Sequence, residues 1–382
     1  MDFSLTEEQQ LLRRTVREFA EKEVAPIAEE LDETEEFPYS LIPKLAALGV
    51  FGLLFPEKYG GSEADTLSYT IAIEELARVD SSVAATVSAH VTLATNLIYQ
   101  FGSEAQRQEW LPRLVGGEML GAFGLTEPEA GSDAGSTQTR AVLDGDEWVI
   151  NGTKCFITNS GTDITGVVVI TAATGTTPEG KKLVSAIIVP QGTPGYRQGK
   201  KYKKMGWRAS DTRELIFEDC RVPRANILGE EGKGFRQFLA GLDLGRISIA
   251  ALGVGLGQGC LEMALNYAKE RVQFGQPLAR FQAIQFKLAD MATRVESSRL
   301  MTYRAAWLRD NDMSFGKEAA MAKLASSEMA NDVARQAVQI HGGYGFINEY
   351  AVSRFYRDAK ILEIGEGTSE VQRMVIARAL LK

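Results

Sequence analysis

The sequence predicts an α+β chain, mainly α: an N-terminal helical domain over 1–120, a compact antiparallel β domain over 121–232, and a C-terminal four-helix bundle domain over 233–382. Three observations predict this partition. Apolar residues recur at helical spacing before about Gly117 and again after Phe235. Between them lie alternating or β-branched runs bounded by turn dipeptides. The stretch from Val222 to Gly234, with Pro223, Gly229, Gly232 and charges, reads as a linker between the last strand and the bundle.

Taken in order, Thr6 and Gln9 have capping-box spacing ahead of Leu11, Leu12, Val16, Phe19 and Val24. Further helical runs cover Leu41–Leu48, Tyr69–Val79, Ser82–Phe101 and Glu104–Leu114. The character changes at Gly121. Asp144-Gly145 and Asn151-Gly152 are hairpin turn signals. Thr165–Thr171, Leu183–Val189 and, in part, Glu214–Val222 are rich in β-branched residues. Long helical patterns with few breakers then run to the end.

Composition excludes several functions. The net charge of −8 argues against generic binding to nucleic acid or anionic membrane, so an anionic substrate needs a local basic site. Cys155, Cys220 and Cys260 are scattered and odd in number, which suits a reducing compartment better than a disulfide framework. The N-terminus has no basic region followed by an apolar one, and no apolar stretch is read as membrane-spanning; a cytoplasmic location and no membrane insertion are expected. With two histidines, His90 and His341, a conventional zinc or iron site is not expected, and His341 reads as structural. No Walker A loop or Gly-x-Ser-x-Gly elbow is present. The glycines of Gly253–Gly259 have the wrong spacing for a dinucleotide fingerprint and read as close helix packing.

The segment Ile364–Arg373 carries the most chemistry. Glu366 stands between Gly365 and Gly367, so a flat reactant can approach its carboxyl. Ser369 and Gln372 have capping-box spacing for a helix that starts at once. A carboxylate held this way suits proton abstraction, although the loop alone also reads as a solvated turn.

Six motifs in order widen the view: Phe123–Ser132 (FGLTEPEAGS), Phe156–Asn159, Asp243–Arg246, Arg271–Gly275, Gln339–Gly343 and Glu366–Thr368. With them the chain resembles the acyl-CoA dehydrogenases over almost its whole length, most closely the short-chain, butyryl-type branch. The resemblance implies the same three domains, FAD as cofactor, and a homotetramer built as a pair of dimers. It implies removal of hydrogens from Cα and Cβ of an acyl-CoA to give the trans-2-enoyl-CoA. An electron-transferring flavoprotein would then take the electrons.

Residue by residue, the resemblance makes Glu366 the general base, with hydride passing to flavin N5. Its backbone N–H joins a ribityl hydroxyl at the thioester oxygen, where the developing enolate needs donors. Thr126 would meet the pyrimidine edge, with Phe123 and Leu125 beside it. Phe156 would face the ring where tryptophan is usual, with Ile157 next, and Thr158 would place its hydroxyl near N5. Ser132 touches cofactor and the CoA moiety. Asp243 and Arg246 take the CoA end, and Gly367 lies at the substrate. Arg271, Phe274, Gln282, Gln339, Ile340, Gly342 and Gly343 match contacts to the adenosine diphosphate half of FAD across a dimer interface. Thr368 and Glu370 complete the cofactor set.

On the same basis a glutaryl-type substrate is disfavoured, because Ala84 stands where an arginine would be needed. Gly245 stands where some relatives carry a second glutamate, so Glu366 keeps the role. Gly365 replaces the usual tyrosine and predicts a wider acyl slot. An acyl-CoA oxidase, a flavin monooxygenase and a non-catalytic flavin-binding protein are the alternatives on this fold. A DNA-associating form would need a basic face.

Overall fold

A computed structural model describes residues 4–381; residues 1–3 and 382, at the outer ends of the first and third predicted domains, lie outside the described residues. Helices α1 (Glu7–Phe19), α2 (Ala28–Thr34), α3 (Ile42–Ala47), α4 (Thr66–Ala77), α5 (Ser81–Ser88), α6 (Asn96–Phe101) and α7 (Glu104–Val115) form the first layer. The predicted capping box on α1 is present: Gln9 N–H donates to Thr6 Oγ1 at 3.2 Å, and Thr6 N–H to Gln9 Oε1 at 3.1 Å. The run read as one helix over Ser82–Phe101 is divided by a π-helical segment, Ala89–Thr95. Wide turns of this kind are often found beside functional sites. In it His90 accepts from the Gly121 N–H at 3.0 Å, and burial lowers its pKa to about 4.

The middle layer holds β1 (Leu120–Gly124), β2 (Arg140–Asp144), β3 (Glu147–Thr158), β4 (Thr165–Thr176), β5 (Lys182–Pro190), β6 (Tyr196–Gln198) and β7 (Thr212–Pro223). The order is β1-β4-β2-β3-β7-β6, with β5 on β4. Most neighbours are antiparallel as predicted, but β1 runs parallel to β4, and β2 meets β4 in parallel at Arg140. The sheet is therefore mixed. No hairpin joins β1 to β4, so local turn chemistry does not set the sense of that pair. Asp144-Gly145 does close the β2–β3 hairpin, with Gly145 at φ +62°. Asn151-Gly152 does not turn the chain; it lies inside β3 where the register to β7 shifts. A Cβ on Gly152 would stand 2.6 Å from Thr139 Oγ1, so the glycine serves close approach rather than reversal.

After the linker come α8 (Gly234–Glu270), a small hairpin β8 (Val272–Gln273) and β9 (Gln276–Pro277), then α9 (Gln282–Asp310), α10 (Gly316–His341), α11 (Val352–Ala359) and α12 (Ser369–Leu380). Helices α8, α9, α10 and α12 make the bundle. Contrary to the expectation from sequence, α8 is long and apolar enough to cross a membrane, but 83% of its apolar window is buried inside the fold. The glycines explain that burial. A Cβ on Gly255 would overlap the Glu74 carbonyl and one on Gly259 the Arg78 carbonyl; one on Gly253 would lie 3.0 Å from the Ser326 carbonyl. They let α4 and α10 approach α8 at backbone distance, as read from the sequence.

Candidate active site

Glu366 sits in the turn that joins α11 to α12. The turn is built from two left-handed residues, Glu366 at φ +53° and Gly367 at φ +94°. The first is unusual for a residue with a side chain and is typical of functional positions. Two side chains hold the turn with three hydrogen bonds. Gln372 Nε2 donates to the Gly367 carbonyl at 2.9 Å and to the Glu366 carbonyl at 3.3 Å, and Lys323 Nζ donates to the Gly367 carbonyl at 2.7 Å. Gly365 N–H reaches back to Ile361 O at 2.8 Å. The cap differs from the prediction: Thr368, not Ser369, accepts from the third residue on, Val371, at 3.3 Å. Gln372 is therefore spent on the Glu366 turn and not on a capping box.

The carboxyl itself points at α8. A Cβ on Gly245 would overlap Glu366 Oε2, so glycine at that position makes the room in which the acid lies. Leu93, in the π-helical segment, forms the next wall. Glu366 Oε2 is buried and has no hydrogen-bond partner. Burial raises the Glu366 pKa to about 7, against the pull of Lys323 and then Arg246. An uncompensated buried carboxyl is costly and is rarely found without a purpose. Asp358 shows that a raised pKa alone does not mark a base. Burial, aided by Asp80, lifts it also to about 7, yet its oxygens accept from Trp207 N–H at 2.7 Å and Ser81 O–H at 2.8 Å. It clasps the three layers together and has no acceptor to spare for chemistry.

Asp243 and Arg246 are ion-paired one turn apart on α8, and Arg246 is buried with an unpartnered Nε. Its charge acts on the Glu366 carboxyl. Ser132 is exposed, in the loop after β1. Thr126 and Phe156 come together, because Thr126 O accepts from Cys155 N–H at 2.9 Å. Phe156 stands at φ +60° where β3 and β7 lose register, and its ring is 66% exposed. The bulge turns the aromatic ring outward, 5.3 Å from the Tyr202 ring, while Thr126 and Thr158 are half-buried. Phe123 packs on Phe238 of α8 with centroids 4.3 Å apart, and Leu125, Ile157 and Ile340 bury their side chains in the core. Those three have only backbone to offer a cofactor.

The remaining predicted residues gather at the far end of α8. Arg271 lies over the Tyr344 ring at 5.5 Å, beside the bare turn of Gly342 and Gly343. Gly342 has φ +61° and ψ −133°, a conformation essentially reserved for glycine, and a Cβ on either glycine would meet open space. Phe274 is 93% exposed at the tip of the β8–β9 hairpin, and Gln282 and Gln339 are exposed nearby in the chain. Gly245 and Arg271 are separated by about 39 Å along one helix at its ordinary rise. The structure therefore brings the predicted residues together as two clusters, not one. Thr368 caps α12 beside the base, and Glu370 is exposed on the first turn of that helix.

The residue that sequence reasoning missed is Lys323. Its signal was its phase: Ala319, Ala320, Lys323, Ser326, Ser327 and Ala330 repeat at helical spacing and all are buried. At Gly365, Ile361 is what a Cβ would touch, at 3.5 Å or more.

Three family models match in order: the acyl-CoA dehydrogenase N-terminal domain over residues 6–118, the middle domain over 122–220 and the C-terminal domain over 232–381. A probable acyl-CoA dehydrogenase of Bacillus subtilis (strain 168) is 55% identical over 382 residues, covering 100% of both chains. Among solved structures, butyryl-CoA dehydrogenase from Megasphaera elsdenii matches with a TM-score of 0.97 and 47% identity over 100% of both chains. A chain in a structure of the electron-transferring flavoprotein of Acidaminococcus fermentans matches with the same TM-score of 0.97, 47% identity and 100% coverage of both. On fold, site and relatives together, this chain belongs to the acyl-CoA dehydrogenase family.

Proposed function

We propose that the protein is an FAD-dependent oxidoreductase that converts a short-chain acyl-CoA to its trans-2-enoyl-CoA, with Glu366 as general base. The observation that carries the reading is the Glu366 carboxyl: buried, unpartnered at Oε2, and raised to about 7. A base whose pKa lies near the working pH combines a sufficient ionised fraction with real proton affinity. The left-handed turn presents the Glu366 backbone beside its carboxyl, so that one residue can offer a donor to the thioester oxygen and take the α-proton. Gly245 and Leu93 shape the slot, and the covered surface of α8 keeps water from it.

The residues present fit FAD. An outward aromatic ring at Phe156, on a segment joined to Thr126 by the Cys155 N–H and followed by the half-buried Thr158, suits a flat heterocycle with polar edges. Bare backbone at Gly342-Gly343 beside Arg271 suits a pyrophosphate. FAD bound there would supply the hydride acceptor, N5. The separation of the two clusters supports a dimer in which each protomer completes its partner's site, and a homotetramer in the family manner. An electron-transferring flavoprotein as acceptor, a role in fatty acid β-oxidation and a cytoplasmic location belong to the same reading. The resemblance to butyryl-CoA dehydrogenase supports the short chain.

Anaerobic mixing with butyryl-CoA tests this directly. The purified protein should carry about one FAD per chain, and the thioester should bleach it. Glu366→Gln should keep flavin and ligand but lose reduction by about 10²–10⁴-fold or more. A folded protein that takes up no flavin, or a Glu366→Gln variant that bleaches at the wild-type rate, contradicts the proposal. Rapid oxygen consumption with the same substrate would point to an oxidase instead.

A further inference from the structure

Lys323 is fully buried on the inner face of α10. A buried ammonium is costly unless something compensates it. No salt bridge to Lys323 is present among the described residues; its Nζ donates instead to the carbonyl of Gly367, at 2.7 Å. Gly367 is the residue after the base. The same carbonyl accepts from Gln372 Nε2 at 2.9 Å. The turn that carries Glu366 is thus gripped from two helices by two donors, one charged and one neutral.

We propose that Lys323 is a positioning residue for the Glu366 base: its ammonium fixes the turn through the Gly367 carbonyl and, one peptide away, biases the acid toward its carboxylate. The inference rests on the reading of Glu366 as base. The charged groups around the pair come from four elements. Arg246 of α8 faces Glu366 as a second cation, and Asp243 offsets it. Tyr69 of α4 feels Glu366 from the other side. Glu363, before the turn, and Glu370 of α12 act on Lys323 in addition to Glu366. Burial lowers Lys323 to about 8, which leaves it an ammonium at neutral pH. Because its charge meets a carbonyl and not a carboxylate, the acid keeps its oxygens free for a substrate proton.

A purely structural role would be shared by Gln372, which holds the same carbonyl without charge. The test is therefore the pH profile of kcat/KM for butyryl-CoA in the FAD-loaded enzyme, for wild type, Lys323→Met, Lys323→Arg and Gln372→Leu. It is read together with infrared titration of the Glu366 carboxyl band without substrate, using Glu366→Gln as the blank. Removing a nearby cation raises a carboxyl pKa by about one unit or more. Lys323→Met should therefore move the acid limb and the carboxyl band upward by about one pH unit. Below the limb kcat/KM should fall about tenfold, with recovery at high pH. Lys323→Arg should return the limb toward wild type. Gln372→Leu should lower kcat and leave the limb in place. If Lys323→Met does not fold, Lys323→Gln is read in the same way. An acid limb and carboxyl band unmoved in the neutral variants overturn the inference. An active Glu366→Gln enzyme overturns the underlying reading of the base, whereas an inactive one with an unmoved Lys323→Met limb removes only the role of Lys323.

Discussion

Two buried regions of this molecule pair a lysine with a glutamate, and they do opposite things. In the β domain Lys154 Nζ meets Glu127 Oε1 directly at 2.6 Å and also reaches Thr171 Oγ1 at 2.9 Å. Glu127 further accepts from the N–H groups of Gln138 at 2.6 Å and Thr139 at 3.1 Å. Burial alone would raise the Glu127 pKa, but the charge and hydrogen bond of Lys154 outweigh it and hold Glu127 below the usual carboxylate range. That carboxylate is fully occupied and chemically inert. Its work is to brace the loop between Thr126 and Ser132. At the other site the lysine is displaced by one peptide. Lys323 binds the Gly367 carbonyl, and Glu366 is left raised and unpartnered. The offset teaches how one pair of residue types yields a strut in one place and, in the other, a raised and unpartnered carboxyl of the kind a general base needs. Direct contact satisfies a carboxylate; contact with its backbone holds it ready.

The comparison can be broken from either side. Gly245→Ala should have the largest effect on chemistry, because its Cβ would overlap Glu366 Oε2. A misplaced base costs on the order of 10²-fold in rate, so anaerobic flavin reduction by butyryl-CoA should slow by about that factor while bound FAD is unchanged. A wild-type rate in this variant would show that the acid does not work from its present position. On the inert side, Lys154→Met leaves Glu127 buried without its cation. Removing one member of a buried pair costs about 3–5 kcal/mol, so the denaturant midpoint should fall well below that of wild type. The acid limb of the reaction should stay in place. A shifted limb would show that the two pairs are not independent. The smallest effect is expected at Gly365. A Cβ there would meet only Ile361, at 3.5 Å or more. Gly365→Tyr should fold and narrow the acyl slot. In a series from butyryl- to octanoyl-CoA with isobutyryl- and 2-methylbutyryl-CoA, wild type should accept longer or branched chains better by a few-fold, below the about 10–200-fold that a methylene in an apolar pocket contributes at most. Identical preferences in both proteins would remove the wider slot.

Much of this was legible in the sequence, for identifiable reasons. Helical and strand periodicities predicted the fold class because each domain buries one face of its elements. Glu366 stood out because two glycines flank it, whereas Arg271 with Gly342-Gly343 was named only through the resemblance. What was illegible depends on contacts between distant segments. The parallel sense of β1 against β4 is set by tertiary packing and not by a turn. Gly152 looked like a hairpin residue, but its reason is Thr139, brought to it by the fold. Thr368 displaced Ser369 as the cap because the base turn already uses Gln372. Lys323 shares the phase of the buried face of α10, but that its charge and that of Lys154 would be buried follows only from the assembled sheet and bundle. The resemblance already set the adenosine-end residues apart, across a dimer interface; what it did not give is that one helix, α8, separates Gly245 from Arg271.

On the proposed function, burial tempered by a lysine held at backbone distance sets Glu366 as a base near neutrality. A carboxyl raised to about 7 is protonated below that value and ionised above it, and only the ionised form can take the α-proton. The most direct measurement is the rate of anaerobic flavin reduction by butyryl-CoA as a function of pH. Wild type should lose rate about tenfold per pH unit below an inflection near 7. The residual rate of Glu366→Gln should show no such inflection. A wild-type rate that is flat from pH 5 to 8, or a limb that persists in Glu366→Gln, would contradict the account.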